Sequence, residues 1–351
     1  MLAELVDHVV GVDPDRDSIT IAVVDAQTTA VLANERFAAD AAGDQAAITL
    51  ADQYSSPTSR CWAVEGTASY GRGLLGELEH GGEMVVELDQ PRHKASKSGT
   101  KSDALDAIRA AREALGRERL AMPRAHTGHR EAIRVHTVAR DAAVRSRTAA
   151  INELKSLVVT ADDKLRGELR GLGATRLTQR CARFRTTDRS DIAINHTRLA
   201  MRSIARRIEH LDAEIADHDQ AIKTLIDTAA PQLVAEFGIG YVTAATFYLA
   251  WSHPGRCRSE AAFARLAGAA PIEATSGQNQ QRHRLCRTGD RKLNQALHVV
   301  ALVRKRADPT TRAYIARRTS EGKTDREATR CIKRYIARRV WRLLEHPLDR
   351  T

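Results

Sequence analysis

The chain has 351 residues, of which 55 are lysine or arginine and 44 aspartate or glutamate, a net charge of +11 at neutral pH. That length accommodates two or three domains with separate apolar cores, and the basic balance favours a polyanionic partner. No window approaches eighteen uninterrupted apolar residues, and the first residues, MLAELVDHVVGVD, lack a basic flank, so neither a signal peptide nor a membrane span is expected.

Residues 8–39 alternate as half-buried strands do: HVVGVD, SITIAVVDA and AVLANERFA, bounded by turn signals such as Asp13-Pro14-Asp15. This predicts three antiparallel strands joined by short turns. Asp44 to Tyr54 has helical spacing, Cys61 to Glu65 reads as a short buried strand, Tyr70 to His80 as a helix and Glu83 to Leu88 as a fifth strand. After the basic loop PRHKASKSGTKS, Asp103 to Leu115 returns to helical period. The order βββαβαβα is that of an α/β domain with a mixed sheet.

Apolar residues fall at helical spacing again from about Arg130 to Val159 and from Leu199 to Leu225, giving two long helices able to pair as a coiled coil. The Arg- and Thr-rich stretch 160–198 between them, with Gly171 and Gly173, reads as a loop or a tip that orders on a partner. Pro231 opens a compact C-terminal region in which Phe237-Gly238-Ile239-Gly240 precedes a helix from Val242 to Trp251. A Gly-x-Gly turn feeding a helix lets backbone N–H groups approach a phosphate, so Gly238 and Gly240 are candidate nucleic-acid contacts. The same turn can equally serve only to join two helices.

The five cysteines (Cys61, Cys181, Cys257, Cys286, Cys331) are scattered and form no C-x-x-C pair, which fits a reducing cytosol and no zinc site. Most of the basic excess lies in the C-terminal part: Arg282-His283-Arg284, Arg287, Arg291-Lys292, Arg304-Lys305-Arg306, Arg317-Arg318 and Arg338-Arg339. Guanidinium forks suit phosphate oxygens. Arg282, Arg284, Arg287, Arg291 and Lys292 are therefore candidate nucleic-acid contacts, with Gly277 and with Lys94, Lys97 and Lys101 of the earlier basic loop. An aromatic content of 4% agrees with a charge-driven mode rather than base stacking.

Four carboxylates carry the chemistry. Asp13 ends the first strand, Glu65 ends the fourth, and Asp103 and Asp106 stand at i and i+3, on one face of a helix amino terminus. If the first and fourth strands are neighbours, all four can converge. Such groups repel one another at neutral pH unless hard cations neutralise them, and oxygen-only ligands select Mg2+ or Mn2+. Two such ions about 4 Å apart serve phosphodiester chemistry. Asp15, Asp17 and Asp25 compete with Asp13, but Asp13 directly follows Val9-Val10-Gly11-Val12, and Gly11 would leave backbone space beside a metal or phosphate. Taken singly, an aspartate after a strand often starts a turn, and Asp103 after Ser102 can simply cap a helix.

Ala267 to Asn294 reads AGAAPIEATSGQNQQRHRLCRTGDRKLN, with Ser276-Gly277 ahead of a basic stretch. A serine becomes a nucleophile only with a base, a metal or strong phosphate activation, and neighbouring arginines can stabilise pentacovalent phosphorus. By spacing alone, Ser-Gly is a turn.

The combination of GVDPDRD, AVEGTASYG and KSDALDA resembles the DEDD transposases of the IS110 insertion-sequence family, a similarity that extends over nearly the whole chain. The resemblance implies α/β plus mainly α architecture: a RuvC-like domain of the ribonuclease H fold at 1–125, a long-helix coiled-coil segment at 126–228 and a helical, DNA-binding transposase domain at 229–351. It implies that Asp13, Glu65, Asp103 and Asp106 are a metal-binding tetrad and Ser276 the nucleophile of strand exchange. Pro271, Ser276, Gly277, Gly289 and Leu293 match the family's C-terminal motif. Two positions depart: GVDPDRD replaces the small residue and Ser-Lys usual after the first aspartate, and Asp290 stands where asparagine is more common.

The implied machine is a prokaryotic, cytoplasmic, nucleoid-associated recombinase that cleaves and rejoins donor and target DNA. A structured guide (bridge) RNA would select the sites, and a homodimer or homotetramer would combine the tetrad of one subunit with the serine of another. The alternatives are a hydrolytic RuvC-like nuclease of the Holliday-junction resolvase type, which needs no Ser276, and a non-catalytic nucleic-acid-binding protein. A sugar-kinase or actin-like ATPase also begins βββαβαβα, but no later strand here ends in a Gly-rich phosphate turn.

Overall fold

The computed structural model describes residues 2–67, 69–88, 103–118, 120–185, 191–273, 283–285 and 289–347. They fall into two units, Met1–His126 with Ser252–Arg256, and Thr127–Trp251 with Cys257–Thr351.

The first unit is built on β1 (His8–Pro14), β2 (Ser18–Asp25), β3 (Val31–Ala38), β4 (Arg60–Glu65) and β5 (Met84–Leu88). Their order is β3-β2-β1-β4-β5, with β2 antiparallel to both neighbours and β1, β4 and β5 mutually parallel. This mixed five-stranded sheet fits a RuvC-like domain. Side chains alternate between its faces. Val10, Val12, Ile21, Trp62 and Val64 pack under α1 (Ala41–Asp52) and α2 (Arg72–His80). Val9, Cys61, Ala63, Val86 and Leu88 pack under α3 (Asp103–Gly116). Helix α1 starts ahead of the expected Asp44 because Asp40 accepts the Gly43 N–H and caps it.

Helix α3 presents Ala110, Ala111 and Ala114 to the sheet, and the closest approach is at Gly11. A Cβ on Gly11 would lie 2.0 Å from the Ala107 carbonyl oxygen and 2.6 Å from the Ala111 nitrogen. Gly11 therefore makes room for helix backbone, not for a metal or phosphate as its position in the sequence suggested.

At the opposite end of β4, Arg60 is 1% exposed and its guanidinium meets Asp52 at 2.7 Å, Glu83, and the Ser55 carbonyl at 2.8 Å. Trp62 Nε1 also donates to Glu83, at 3.0 Å. A buried guanidinium is tolerable here because its fork is answered by acceptors on several sides. Residues 252–256 are anchored in the same unit: Ser252 Oγ accepts the Ala125 N–H at 3.0 Å, and His253 Nε2 lies 3.0 Å from the Pro123 carbonyl.

In the second unit α4 (Gly128–Thr160) and α7 (Ile192–Ala229) run antiparallel, with His136 against His218, Arg140 against Asp219, Arg147 against Asp212 and Glu153 against Arg207. Among the described residues the intervening stretch is not a loop. It forms α5 (Asp163–Leu169), capped by Asp162, and α6 (Ala174–Ala182). These bury Leu165, Leu169, Leu177 and Cys181 against Leu154, Met201, Ala205 and Ile208 of the long helices.

After α8 (Pro231–Val234) come α9 (Tyr241–Trp251) and α10 (Glu260–Leu266), then β6 (Pro271–Glu273) paired antiparallel with β7 (His283–Leu285). Helices α11 (Arg291–Ala307), α12 (Pro309–Ser320) and α13 (Asp325–Glu345) complete the unit. Phe247, Phe263, Leu297, Val300, Ile336 and Val340 share one core with Ile133 of α4 and Ile222 and Ile226 of α7. Among the described residues no helix is long and apolar enough to cross a membrane.

Candidate functional site

Strands β1 and β4 are adjacent and parallel with Val12 level with Val64, so the next residues, Asp13 and Glu65, stand side by side at the carboxyl ends. Both follow the alternation that turns Val9, Cys61 and Ala63 toward α3. Because α3 rests on Gly11, its first turn, with Asp103 and Asp106, lies over the same end of the sheet. The helix amino terminus also favours negative charge.

Glu65 reports the result. Burial pushes its carboxyl up to about 7, and the charges of Asp13, Glu113 and Asp106 push in the same direction against Arg109. Asp13, Glu65 and Asp106 are thus brought together, while Asp103, about half exposed, lies 3.8 Å from Arg36 of β3. Asp106 is paired with Arg109 one turn along its own helix. Glu113 was missed by sequence reasoning; the signal was its seven-residue spacing from Asp106, which keeps both on one helix face.

The competing aspartates are engaged differently. Asp17 pairs with Arg16 in the exposed turn after β1, and Asp25 accepts from Gln27 and Thr28 at the other end of β2, where Thr28 holds its carboxyl below the usual range.

Among the described residues no three His, Cys, Asp or Glu side chains stand close enough together to hold one ion. The donor set still suits a hard divalent cation: it is all oxygen, and burial, reinforced by its like charges, makes Glu65 retain a proton near neutrality, a penalty that a cation would reverse. Arg36 and Arg109 supply the compensating positive charge.

The turn after Glu65 is held from below. Gly66 takes a left-handed conformation at φ 64°, and the fully buried Thr67 donates its hydroxyl to Glu87 of β5 at 2.7 Å. Arg256, distant in sequence, lies 3.9 Å from the same Glu87. Such anchoring fixes the backbone that carries Glu65, and nothing local in the sequence points to Arg256.

In the second unit Gly238 has φ 84°, and a Cβ there would press on Val303 at 3.3 Å, while Arg304 donates to the Phe237 carbonyl at 2.9 Å. Gly238 thus serves the turn and its packing on α11. Gly240 faces open space at the start of α9, beside a groove of about 500 Å³ lined by Gln220, Lys223, Tyr241 and Thr243.

Arg291 is exposed at the start of α11, and Lys292 pairs with Asp141 at 2.6 Å. The backbone of Arg284 lies on β7, opposite Ile272. Lys94, Lys97, Lys101, Ser276, Gly277, Arg282 and Arg287 lie outside the described residues, as does Cys286.

Much of the basic excess is used internally: Arg304 and Arg339 pair with Glu236, Arg338 and Arg342 with Glu260, and Arg317 and Arg318 with Glu321. Arg306, Arg312 and Arg330 are exposed and make no ion pair among the described residues. Asp290 caps α11 by accepting the Leu293 N–H at 3.0 Å, a task that asparagine performs equally well. Cys61, Cys181 and Cys257 are buried free thiols, and burial pushes Cys61 up to about 12 and Cys181 up to about 11, leaving both inert.

An insertion element IS900 uncharacterized 42 kDa protein of Mycobacterium paratuberculosis is 30% identical over 156 residues, 42% of this chain and 39% of that protein. The chain thus covers well under half the length of that curated relative. Residues 10–161 match the DEDD transposases of the IS110 type, and residues 232–316 match the family described as Transposase IS116/IS110/IS902. By these two matches, one over the carboxylate-bearing region and one over the C-terminal helices, the chain belongs to the IS110 family of DEDD transposases.

Proposed function

We propose that the protein is a DNA transposase that cleaves and rejoins strands with Asp13, Glu65, Asp103 and Asp106 as its cation-binding carboxylates and Ser276 as the nucleophile of strand exchange. The observation that carries this reading is the parallel pairing of β1 with β4 beneath α3, which brings Asp13, Glu65 and Asp106 to one strand end, where burial first and the neighbouring charges second push Glu65 up to about 7. When bound, Mg2+ or Mn2+ activates the attacking oxygen and stabilises the leaving oxygen of a phosphodiester.

The chain's own residues do the rest. Asp13 and Glu65 hold fixed positions on a hydrogen-bonded ladder, and Thr67 and Glu87 keep the turn after Glu65 in place. Arg36 and Arg109, paired with Asp103 and Asp106, are the guanidinium groups at the rim that would meet phosphate oxygens of a bound strand.

In this reading the partners are donor and target DNA with a structured guide RNA. The protein works as a homodimer or homotetramer whose sites combine the carboxylates of one subunit with the serine of another. The motif resemblance and family membership support that assembly, and the exposed Arg306, Arg312 and Arg330 suit a phosphate backbone.

The test is recombination between DNAs carrying the element ends and the target, with RNA transcribed from the element end. The wild type is expected to form covalent protein–DNA joints and recombinants only with a divalent cation, Asp13→Asn to bind DNA without reacting, and Ser276→Ala to form no joint. Undiminished recombination by Ser276→Ala would overturn the serine mechanism, and release of cleaved, unjoined ends by the wild type would favour a hydrolytic nuclease.

A further inference from the structure

Lys333 sits on the core-facing side of α13, 8% exposed, in a stretch whose other buried positions include Ala328, Ile332, Ile336, Ala337 and Val340. Burial and the nearby Arg330 hold its ammonium below the ordinary lysine pKa, with no acidic neighbour acting on it among the described residues. Its hydrogen bond goes to a neutral group, Oδ1 of Asn294 on α11, at 2.6 Å. An ammonium without a counter-charge is unfavourable in such a place compared with methionine or leucine. Packing alone does not account for it.

Its partner stands at the root of the β6–β7 hairpin. Asn294 Nδ2 donates to the Ala267 carbonyl at 2.6 Å. The Asp290 N–H donates to the neighbouring Leu266 carbonyl at 2.8 Å. Gly289, at φ 141°, lets the two chain ends close together, since a Cβ there would meet the Leu266 oxygen at 2.6 Å and the Gly268 nitrogen at 3.0 Å. The chain thus leaves α10, runs out through β6 and back through β7, and returns to this one point at the start of α11.

We infer that Lys333 and Asn294 are positioning residues for the β6–β7 hairpin, and through it for the strand-exchange step assigned to Ser276. An asparagine amide can face its surroundings either way round, and a carbonyl such as that of Ala267 needs the NH2 end. Lysine can only donate, so it selects the orientation with Oδ1 toward Nζ and Nδ2 toward Ala267. Methionine or leucine of similar size fills the volume without that selection. The inference rests on the serine reading above, because Ser276 lies in sequence between β6 and β7.

The experiment compares Lys333→Met, Lys333→Arg, Asn294→Leu and Asn294→Asp with the wild type and with Ser276→Ala, in the full chain. Melting temperature, DNA affinity and the rate of covalent joint formation are measured. Lys333→Met and Asn294→Leu are expected to slow joint formation on the order of 100-fold at saturating DNA, as a misplaced reacting group does, with DNA affinity within about twofold of wild type. Lys333→Arg, which still only donates, restores most of the rate. Asn294→Asp does not, although it gives Lys333 a stronger partner, because the Ala267 carbonyl loses its donor. The double variant Lys333→Met with Asn294→Leu is no slower than either single one.

If Ser276→Ala is inactive while Lys333→Met and Asn294→Leu react at the wild-type rate, the inference fails and the serine reading stands. If Ser276→Ala reacts normally, the serine reading itself has failed. A loss in Lys333→Met that tracks its melting temperature and is not rescued by arginine contradicts positioning.

Discussion

The carboxylate end of the first unit and the hairpin root of the second hold their polar groups in different ways. Asp13 and Glu65 stand on neighbouring strands whose register is fixed by a continuous backbone ladder, while Asn294 and Lys333 stand on separate helices brought together by packing. The first site gathers like charges at a half-exposed rim and offsets them with Arg36 and Arg109. The second buries one positive charge beside a neutral amide. A ladder can therefore hold groups that repel each other, whereas a helix-borne site depends on each partner selecting the other.

The largest effect is expected from neutralising a carboxylate without changing its shape. Asp13→Asn and Glu65→Gln are expected to lower metal-dependent strand cleavage on the order of 1,000-fold or more, while circular dichroism and melting temperature show the fold intact. Unfolding of these variants would instead mean that the rim is structural.

Next comes the helix contact. Gly11→Ala places a Cβ 2.0 Å from the Ala107 oxygen, so α3 must shift with Asp103 and Asp106. A loss of about 1–3 kcal/mol of stability and on the order of 100-fold in cleavage is expected from denaturant titration and rate measurement. Gly240→Ala in the second unit meets open space and is expected to leave stability unchanged. Equal effects at the two glycines would refute the assignment of Gly11 to helix docking.

A smaller effect concerns pH. Glu65 is held at about 7 in the folded chain against 4.5 in solution, so folding favours its protonated form. That contribution is complete below about pH 4.5 and is lost as the pH rises through about 7. Asp44, pushed up to about 6 by burial and by Glu77 and Asp40, adds a slope of the same sign. Because Glu65 is only half buried, its share is roughly 1 kcal/mol, or about 2 °C in melting temperature between about pH 5 and pH 8. Glu65→Gln is expected to flatten that part of the slope, and an unchanged slope would mean that Glu65 is not held protonated by burial and its acidic neighbours.

The smallest expected effects separate free arginines from engaged ones. Arg306→Ala should weaken DNA binding a few-fold and lower the salt dependence by about one unit of slope. Arg339→Ala, whose side chain pairs with Glu236, should leave the slope nearly unchanged. Identical slopes would mean that the Glu236 pair opens on binding.

The same contrast governs what could be read from the sequence. Strand alternation in HVVGVD, SITIAVVDA and CWAVE was enough to place Asp13 and Glu65 at strand ends, because a half-buried strand writes its register into every second residue. The helices α5 and α6 were not legible: Leu165, Leu169, Leu177 and Cys181 are few among arginines and threonines, and they become a core only against α4 and α7. Arg256 and Lys333 matter through residues far away in sequence, so no local pattern marks them, whereas Glu113 was marked only by its helical spacing from Asp106. The basic runs were legible as charge, but not their pairing with Glu236 and Glu260.

Binding of a divalent cation by the rim formed by Asp13, Glu65, Asp103 and Asp106 can be measured by calorimetric titration of Mn2+ into the full chain at pH 7. Running it in two buffers of different ionisation enthalpy counts the protons released. With Glu65 at about 7, the wild type should release about half a proton on binding, and Glu65→Gln should bind weakly and release none. Equal binding by Glu65→Gln, or binding by the wild type with no proton released, would contradict a cation held through Glu65.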